Sequence, residues 1–219
     1  MNIVVVGGGT PGRFGHDVVN RARKDGHRVL VLSHRLRSKD PDAEIANFSN
    51  LESTIDSFQQ LISKVDHIDL FLYNTNCSGD SQGGWPNNID HYHSTSTVNE
   101  KLYIYGFKIH VIIPHALCIE VMKKMNKDSK ICFMTTDMIY QKNRTKYTEK
   151  VGYAGGKSYQ HQLMLALANH NDIGVTVSSV SPHFDYNETS QYSYILDKAY
   201  NYLINHDSKF NGEIFECWD

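Results

Sequence analysis

Apolar residues along this chain come in short unbroken runs, separated by stretches in which they recur at helical intervals. The first run, Asn2-Ile3-Val4-Val5-Val6, leads into Gly7-Gly8-Gly9-Thr10-Pro11-Gly12-Arg13-Phe14-Gly15 and then into a helix-forming stretch over 16–23. A second buried run covers 28–33, and a short third strand is expected at 43–48. Leu51, Ile55, Phe58, Leu61, Ile62 and Val65 are spaced as one helix face and predict a helix over 51–65. Further strands are expected at 68–73, 130–136, 175–180 and 213–217. Further helices are expected after the polar stretch 76–96 as far as about 125, with a kink at Pro114, and over 154–169 and 192–204. Strands that are apolar on both faces and alternate with helices imply a parallel sheet covered on both sides. The expected fold is therefore α/β: a single Rossmann-like, doubly wound domain over 1–219 with a mostly parallel sheet of roughly seven strands.

A strand, a glycine turn and a helix in that order form a cradle for a dinucleotide. Glycines let the backbone turn tightly and approach a pyrophosphate, and the helix that follows offers N–H groups and the positive end of its dipole. Two registers fit the turn: Gly7, Gly9 and Gly12 as G-x-G-x-x-G, or Gly9, Gly12 and Gly15 as G-x-x-G-x-x-G. Glycine turns that bind nothing share this pattern, but here the flanking strand and helix stand where binding requires them.

Composition narrows the class further. With 219 residues the chain has the length of one domain and one sizeable core. A formal net charge of -2 gives no bulk basic field for nucleic acid or an acidic membrane. No apolar stretch is expected to reach the length of a membrane span, and no secretory signal is visible. The four cysteines, Cys77, Cys118, Cys132 and Cys217, form no C-x-x-C pair. Cys118 and Cys132 lie in apolar runs as small core residues, which fits a reduced cytoplasmic location. Among the 12 histidines, His91-Tyr92-His93 is the tightest cluster, but it has no cysteine or third ligand nearby, so no metal site is expected.

Six motifs follow one another along the chain. The turn Gly9 to Gly15 opens the first helix, and Asp69-Leu70-Phe71-Leu72-Tyr73-Asn74-Thr75-Asn76 ends the fourth strand. Ile131-Cys132-Phe133-Met134-Thr135-Thr136 ends the fifth, and Tyr153-Ala154-Gly155-Gly156-Lys157 opens the next helix. Ser181-Pro182-His183 follows the sixth strand, and Phe210-Asn211-Gly212-Glu213-Ile214-Phe215 closes the sheet. This ordered set resembles the short-chain dehydrogenase/reductase family over nearly the whole chain. A second Tyr-x-x-x-Lys match, Tyr194 and Lys198, falls in the last helix, where that family has no catalytic residue. The chain departs from the family at several places: one residue of Asn-Asn-Ala-Gly is kept, Thr136 stands for the catalytic serine, and His183 stands for a glycine. His110, in His110-Val111-Ile112-Ile113-Pro114, stands for the asparagine of the proton relay.

The resemblance implies catalytic roles for Tyr153, Lys157, Thr136 and His110, with Thr135 as the substitute for Thr136. A tyrosine of pKa about 10 needs help to act at neutral pH, and a lysine one helical turn away offers it a positive charge. Cofactor contacts are expected from Gly9, Thr10, Gly12, Arg13, Phe14, Gly15, Ser33, His34, Arg35, Asn47, Phe48, Asn74, Thr75, Asn76, Lys157, Pro182 and His183. The second strand ends in Ser33-His34-Arg35-Leu36-Arg37, which has no carboxylate for a ribose diol and two arginines; with Arg13 these favour the 2′-phosphate of NADP(H). The implied activity is NADPH-dependent reduction of a small carbonyl substrate, or oxidation of the alcohol, in a homodimer or homotetramer. The alternative is a non-catalytic NADP(H)-binding sensor or regulatory protein with a relaxed site.

Overall fold

The structure, a computed structural model, describes residues 1–36, 39–75, 100–136, 151–182 and 189–217. Strands β1 (Asn2–Val6), β2 (Arg28–Ser33), β3 (Ala43–Ile45), β4 (Leu70–Tyr73), β5 (Lys130–Met134), β6 (Thr176–Ser181) and β7 (Ile214–Glu216) form one sheet. Their order is β3-β2-β1-β4-β5-β6-β7, and every pairing is parallel. Helices α1 (Phe14–Lys24), α2 (Leu51–Ile62), α3 (Glu100–Phe107), α4 (Ile113–Met122), α5 (Val151–His170) and α6 (Thr189–Asn205) cover it, with a π-helical turn (Lys108–Ile112) joining α3 to α4.

The unbroken apolar strands are explained by burial on both faces. Val4 and Val6 of β1 point into one core cluster with Phe58, Phe71, Leu117 and Ile131. Ile3 and Val5 point into the other, with Val18, Leu72, Cys132 and Leu203. Within the first cluster Phe58 meets Phe71 edge to face at 5.8 Å, an arrangement that adds to their area burial.

Local chemistry moves several element ends away from the expected ones. Asn50 caps α2 by accepting from the Ser53 N–H at 3.0 Å. The helix then stops at Ile62 rather than 65, although Val65 stays buried through a turn bond to the Ile62 carbonyl. The third strand is shorter than 43–48 because Asn47 leaves the ladder, its side chain accepting from the Ser49 N–H and hydroxyl. Helix α5 starts before the expected residue 154 and carries Gly155 and Gly156 within it.

The kink expected at Pro114 takes the form of the π turn. Pro114 has no N–H for the His110 carbonyl, and just ahead of it the Ile113 N–H reaches back to the Lys108 carbonyl, the long span that defines a π turn. The Tyr73 hydroxyl donates to the Ile109 carbonyl and ties this widened turn to β4.

The expectation that no stretch reaches membrane-span length is corrected: Tyr103–Met122 is long and apolar enough by length and composition. Its apolarity is explained by packing, since Ile109, Ile113, Leu117, Cys118 and Val121 lie in the core against the sheet.

Phe58→Ala removes a fully buried ring from the larger core cluster. It is expected to lower the unfolding free energy by about 3–5 kcal/mol, read as an earlier midpoint in urea denaturation with an unchanged slope.

Candidate active site

In a sheet ordered this way, successive crossovers leave β1 on opposite sides towards β2 and β4, and the crevice beyond the strand ends at that point is the usual ligand site. Two glycines allow the surrounding segments to close on it. A Cβ on Gly9 would lie 2.6 Å from the Arg35 carbonyl and 2.7 Å from the Ser33 hydroxyl, so the end of β2 packs directly on the turn. A Cβ on Gly15 would overlap the side-chain amide of Asn74, which donates to the Gly7 carbonyl at 3.4 Å. Gly12 is different: its φ is +73 and a Cβ there would meet nothing within 4 Å, leaving the outer side of the turn open.

Helix α1 begins at Phe14, and the Arg13 side chain at the cap position makes no capping hydrogen bond to the helix. Arg13, His34 and Arg35 are solvent-exposed, and Thr10 is partly buried. The His34 imidazole is held below its usual pKa, first by desolvation and then by the Arg35 charge. These features suit a dinucleotide: an open turn, a helix start without a side-chain cap from Arg13, and arginines at the rim. Ser33 is buried beneath Gly9, and Asn47 is engaged in its own turn. Phe48 is 5% exposed, with its ring in the core. Thr75 is buried at the end of β4 with its hydroxyl unpartnered. Pro182 is half-buried just beyond β6. Asn76, His183, Arg37, Trp85 and the histidines at 91 and 93 lie outside the described residues.

The second half of the site is built by β5, α5 and the π turn. Thr135 and Thr136, both buried, follow β5 directly, and the Thr135 N–H donates to the Val180 carbonyl at 2.9 Å. Lys157 comes down from α5 to this same strand end, its Nζ donating to the Met134 carbonyl at 2.6 Å and to Gln160 Oε1 at 3.0 Å. It is 2% exposed, and burial pushes its pKa down to about 7. Tyr153, one turn earlier on α5, packs edge to face on His110 with ring centroids 5.7 Å apart. His110 is fully buried on the π turn and both its ring nitrogens are unpartnered. Desolvation, and then the Lys157 charge, hold His110 well below the usual imidazole pKa, so its ring is neutral. A Cβ on Gly156 would fall 2.6 Å from the His110 ring, which accounts for a glycine in mid-helix despite its poor helix propensity.

Gln160 and Gly156 were not among the expected site residues. The available signal was a glutamine one turn beyond Lys157, at a helix position whose periodicity calls for an apolar side chain. The competing pair behaves as surface chemistry: Tyr194 is 54% exposed and Lys198 lies over its ring at 4.8 Å. Among the described residues, no group of three or more His, Cys, Asp or Glu side chains is arranged to hold a metal ion.

Solved structures share this fold. An oxidoreductase of the short-chain dehydrogenase/reductase family from Brucella ovis, solved with a partially ordered NAD, superposes with a TM-score of 0.76 over 98% of both chains at 16% identity. The chain has the short-chain dehydrogenase/reductase fold. A Serratia marcescens short-chain dehydrogenase/reductase double mutant matches with a TM-score of 0.77 at 16% identity, covering 98% of this chain and 94% of that one. An Escherichia coli oxidoreductase, yciK, gives 0.77 at 16% identity over 100% and 95%. No protein-family model matches the sequence. No curated protein matches it either.

Lys157 makes stability depend on pH. Its folded pKa of about 7 lies below the ordinary 10.5, so below pH 7 the fold must hold a buried ammonium, and that cost is relieved as pH rises from 7 towards 10.5. Lys157→Met is therefore expected to be about 1–4 kcal/mol more stable than wild type at about pH 6, with the gap narrowing steadily by about pH 9. Urea denaturation at the two pH values measures it.

Proposed function

We propose that the protein is a short-chain dehydrogenase/reductase that uses NADP(H) to reduce a small carbonyl compound or oxidise the corresponding alcohol. The observation that carries this reading is the Lys157–Met134 hydrogen bond at 2.6 Å, which joins the helix bearing Tyr153 to the strand end bearing Thr136. A tyrosine, a buried lysine and a strand-end hydroxyl gathered at the C-terminal edge of a parallel sheet, beside an open glycine turn, suit proton transfer to a carbonyl oxygen. Gly9, Thr10, Gly12, Gly15, Arg13 and Arg35 would hold the dinucleotide, with the arginines at the 2′-phosphate. A reduced nicotinamide, when bound, supplies a hydride.

The residues then divide the work. The Thr136 hydroxyl, or that of Thr135, donates to the carbonyl oxygen and steadies the charge that develops there. Tyr153 delivers the proton to that oxygen, and in the reverse direction takes it. The charged form of Lys157 favours the tyrosinate, and the lysine also has a donor for the nicotinamide ribose. His110 backs Tyr153 as a neutral ring. The second reading, a non-catalytic NADP(H) sensor, is favoured by one feature: a Lys157 pKa of about 7 leaves the lysine only partly charged at neutral pH. The buried cysteines Cys118, Cys132 and Cys217, all free thiols, fit a reduced cytoplasmic setting.

Fluorescence titration of the purified protein is expected to give tight NADPH binding and weaker NADH binding, and Arg35→Ala to weaken NADPH by about tenfold or more with little effect on NADH. In a carbonyl panel, Tyr153→Phe is expected to cut turnover by roughly 100- to 10,000-fold with NADPH affinity unchanged. Tight NADPH binding without turnover in the wild type would favour the sensor.

We also propose that copies of the chain pair through α3, α4 and α5. Ile104, Phe107, Ile112, Ile119 and Tyr159 are exposed there, and Phe107 meets Tyr159 edge to face at 5.5 Å. Sedimentation is expected to show a dimer or tetramer for the wild type and a monomer for Phe107→Glu.

A further inference from the structure

Among the described residues, Gln160 is the one side chain that hydrogen-bonds the Lys157 amine, beside the main-chain carbonyl of Met134. It is 1% exposed, on the buried face of α5, where an apolar residue would fill the space at no polar cost. Its Oε1 accepts from Lys157 at 3.0 Å, while its NH₂ group has no partner. Burying a carboxamide with one end unsatisfied is costly, so the lysine contact is what the residue is placed to make. An ammonium has three N–H donors. The Met134 carbonyl takes one and Gln160 a second, which leaves one direction for a ligand.

Among the described residues, nothing else nearby compensates the charge. The elements packed most closely on α5 are β6, which has no ionisable side chain, the π turn and α3. The π turn brings neutral His110, and its Lys108 points away to the Ser49 carbonyl. Helix α3 carries Glu100, Lys101, Tyr103 and Tyr105. On α5 itself the nearest titratable groups in sequence are Tyr159, which is 59% exposed, and then Tyr153 and His161. Among the described residues no carboxylate pairs with Lys157; its two partners are neutral carbonyl oxygens.

We infer that Gln160 is a positioning residue, whose side-chain carbonyl fixes the Lys157 amine beneath Tyr153's helix and sustains its positive charge in the interior. This rests on the proposed oxidoreductase reading for its purpose, since a charged lysine is what favours the tyrosinate, but its physical content does not depend on turnover. A hydrogen bond to the charged form raises the pKa of an amine, and its removal lowers it.

The test is an NMR titration of full-length protein labelled with ¹³C at the lysine ε carbons, with the Lys157 signal assigned by its loss in Lys157→Met. Gln160→Met keeps length and volume but removes the acceptor, and should lower the Lys157 midpoint by about one unit or more. Gln160→Glu keeps an acceptor and adds a charge, and should raise it by a similar amount. A Lys157 midpoint that moves in neither variant overturns the inference; if Gln160→Met does not fold, the direction of the Gln160→Glu shift decides alone. The measurement needs neither cofactor nor substrate, so a protein that reduces no carbonyl can still pass it, and an active enzyme can fail it.

Discussion

All seven strands run in the same direction, and the rest of the molecule follows from that constraint. A parallel sheet needs a crossover after every strand, so both faces become covered and every strand presents its C-terminal end at one edge. The glycine turn, Asn74 and Thr75, Thr135 and Thr136, and Pro182 come from four separate strand ends, yet the sheet collects them along one rim. The helices return to the opposite edge and cannot crowd it. The π turn and the start of α5 therefore approach that rim from above one face, which is how Tyr153 and His110 come into contact.

Among the described residues, the interior beside that rim holds the one buried amine. Lys157, Gln160, His110 and Thr135 are all buried, and several of their polar atoms lack partners among the described residues. A fold optimised for stability alone would place apolar side chains there. Groups held in so dry a setting have strongly altered acid–base behaviour: the amine is pushed down to about 7 and the imidazole is kept neutral. Such clustering of perturbed groups marks sites where chemistry is done more often than sites that only support the fold. The opposite face of the sheet also has a buried imidazole, His206, but it is packed flat on Tyr202 and bonded to Ser178 and the Tyr202 carbonyl, so its role is structural.

The amino-acid sequence by itself determined the order of strands and helices and which residues make the core, because burial on both faces writes itself as unbroken apolar runs such as Val4-Val5-Val6 and helical burial as a period such as Leu51, Ile55, Phe58 and Leu61. It also determined that a glycine turn follows the first strand. What it left open was decided where distant segments meet. A glycine stands at position 156, in mid-helix, because the His110 ring leaves no room for a side chain there. The stretch Tyr103–Met122 is long and apolar enough to cross a membrane, and its apolarity is explained by the sheet it packs on. Phe48 turns into the core, and Gln160 into the lysine. Each of these depends on what lies across a tertiary contact, and periodicity along the chain carries no record of a neighbour a hundred residues away or even, for Gln160, of the strand carbonyl that shares its partner.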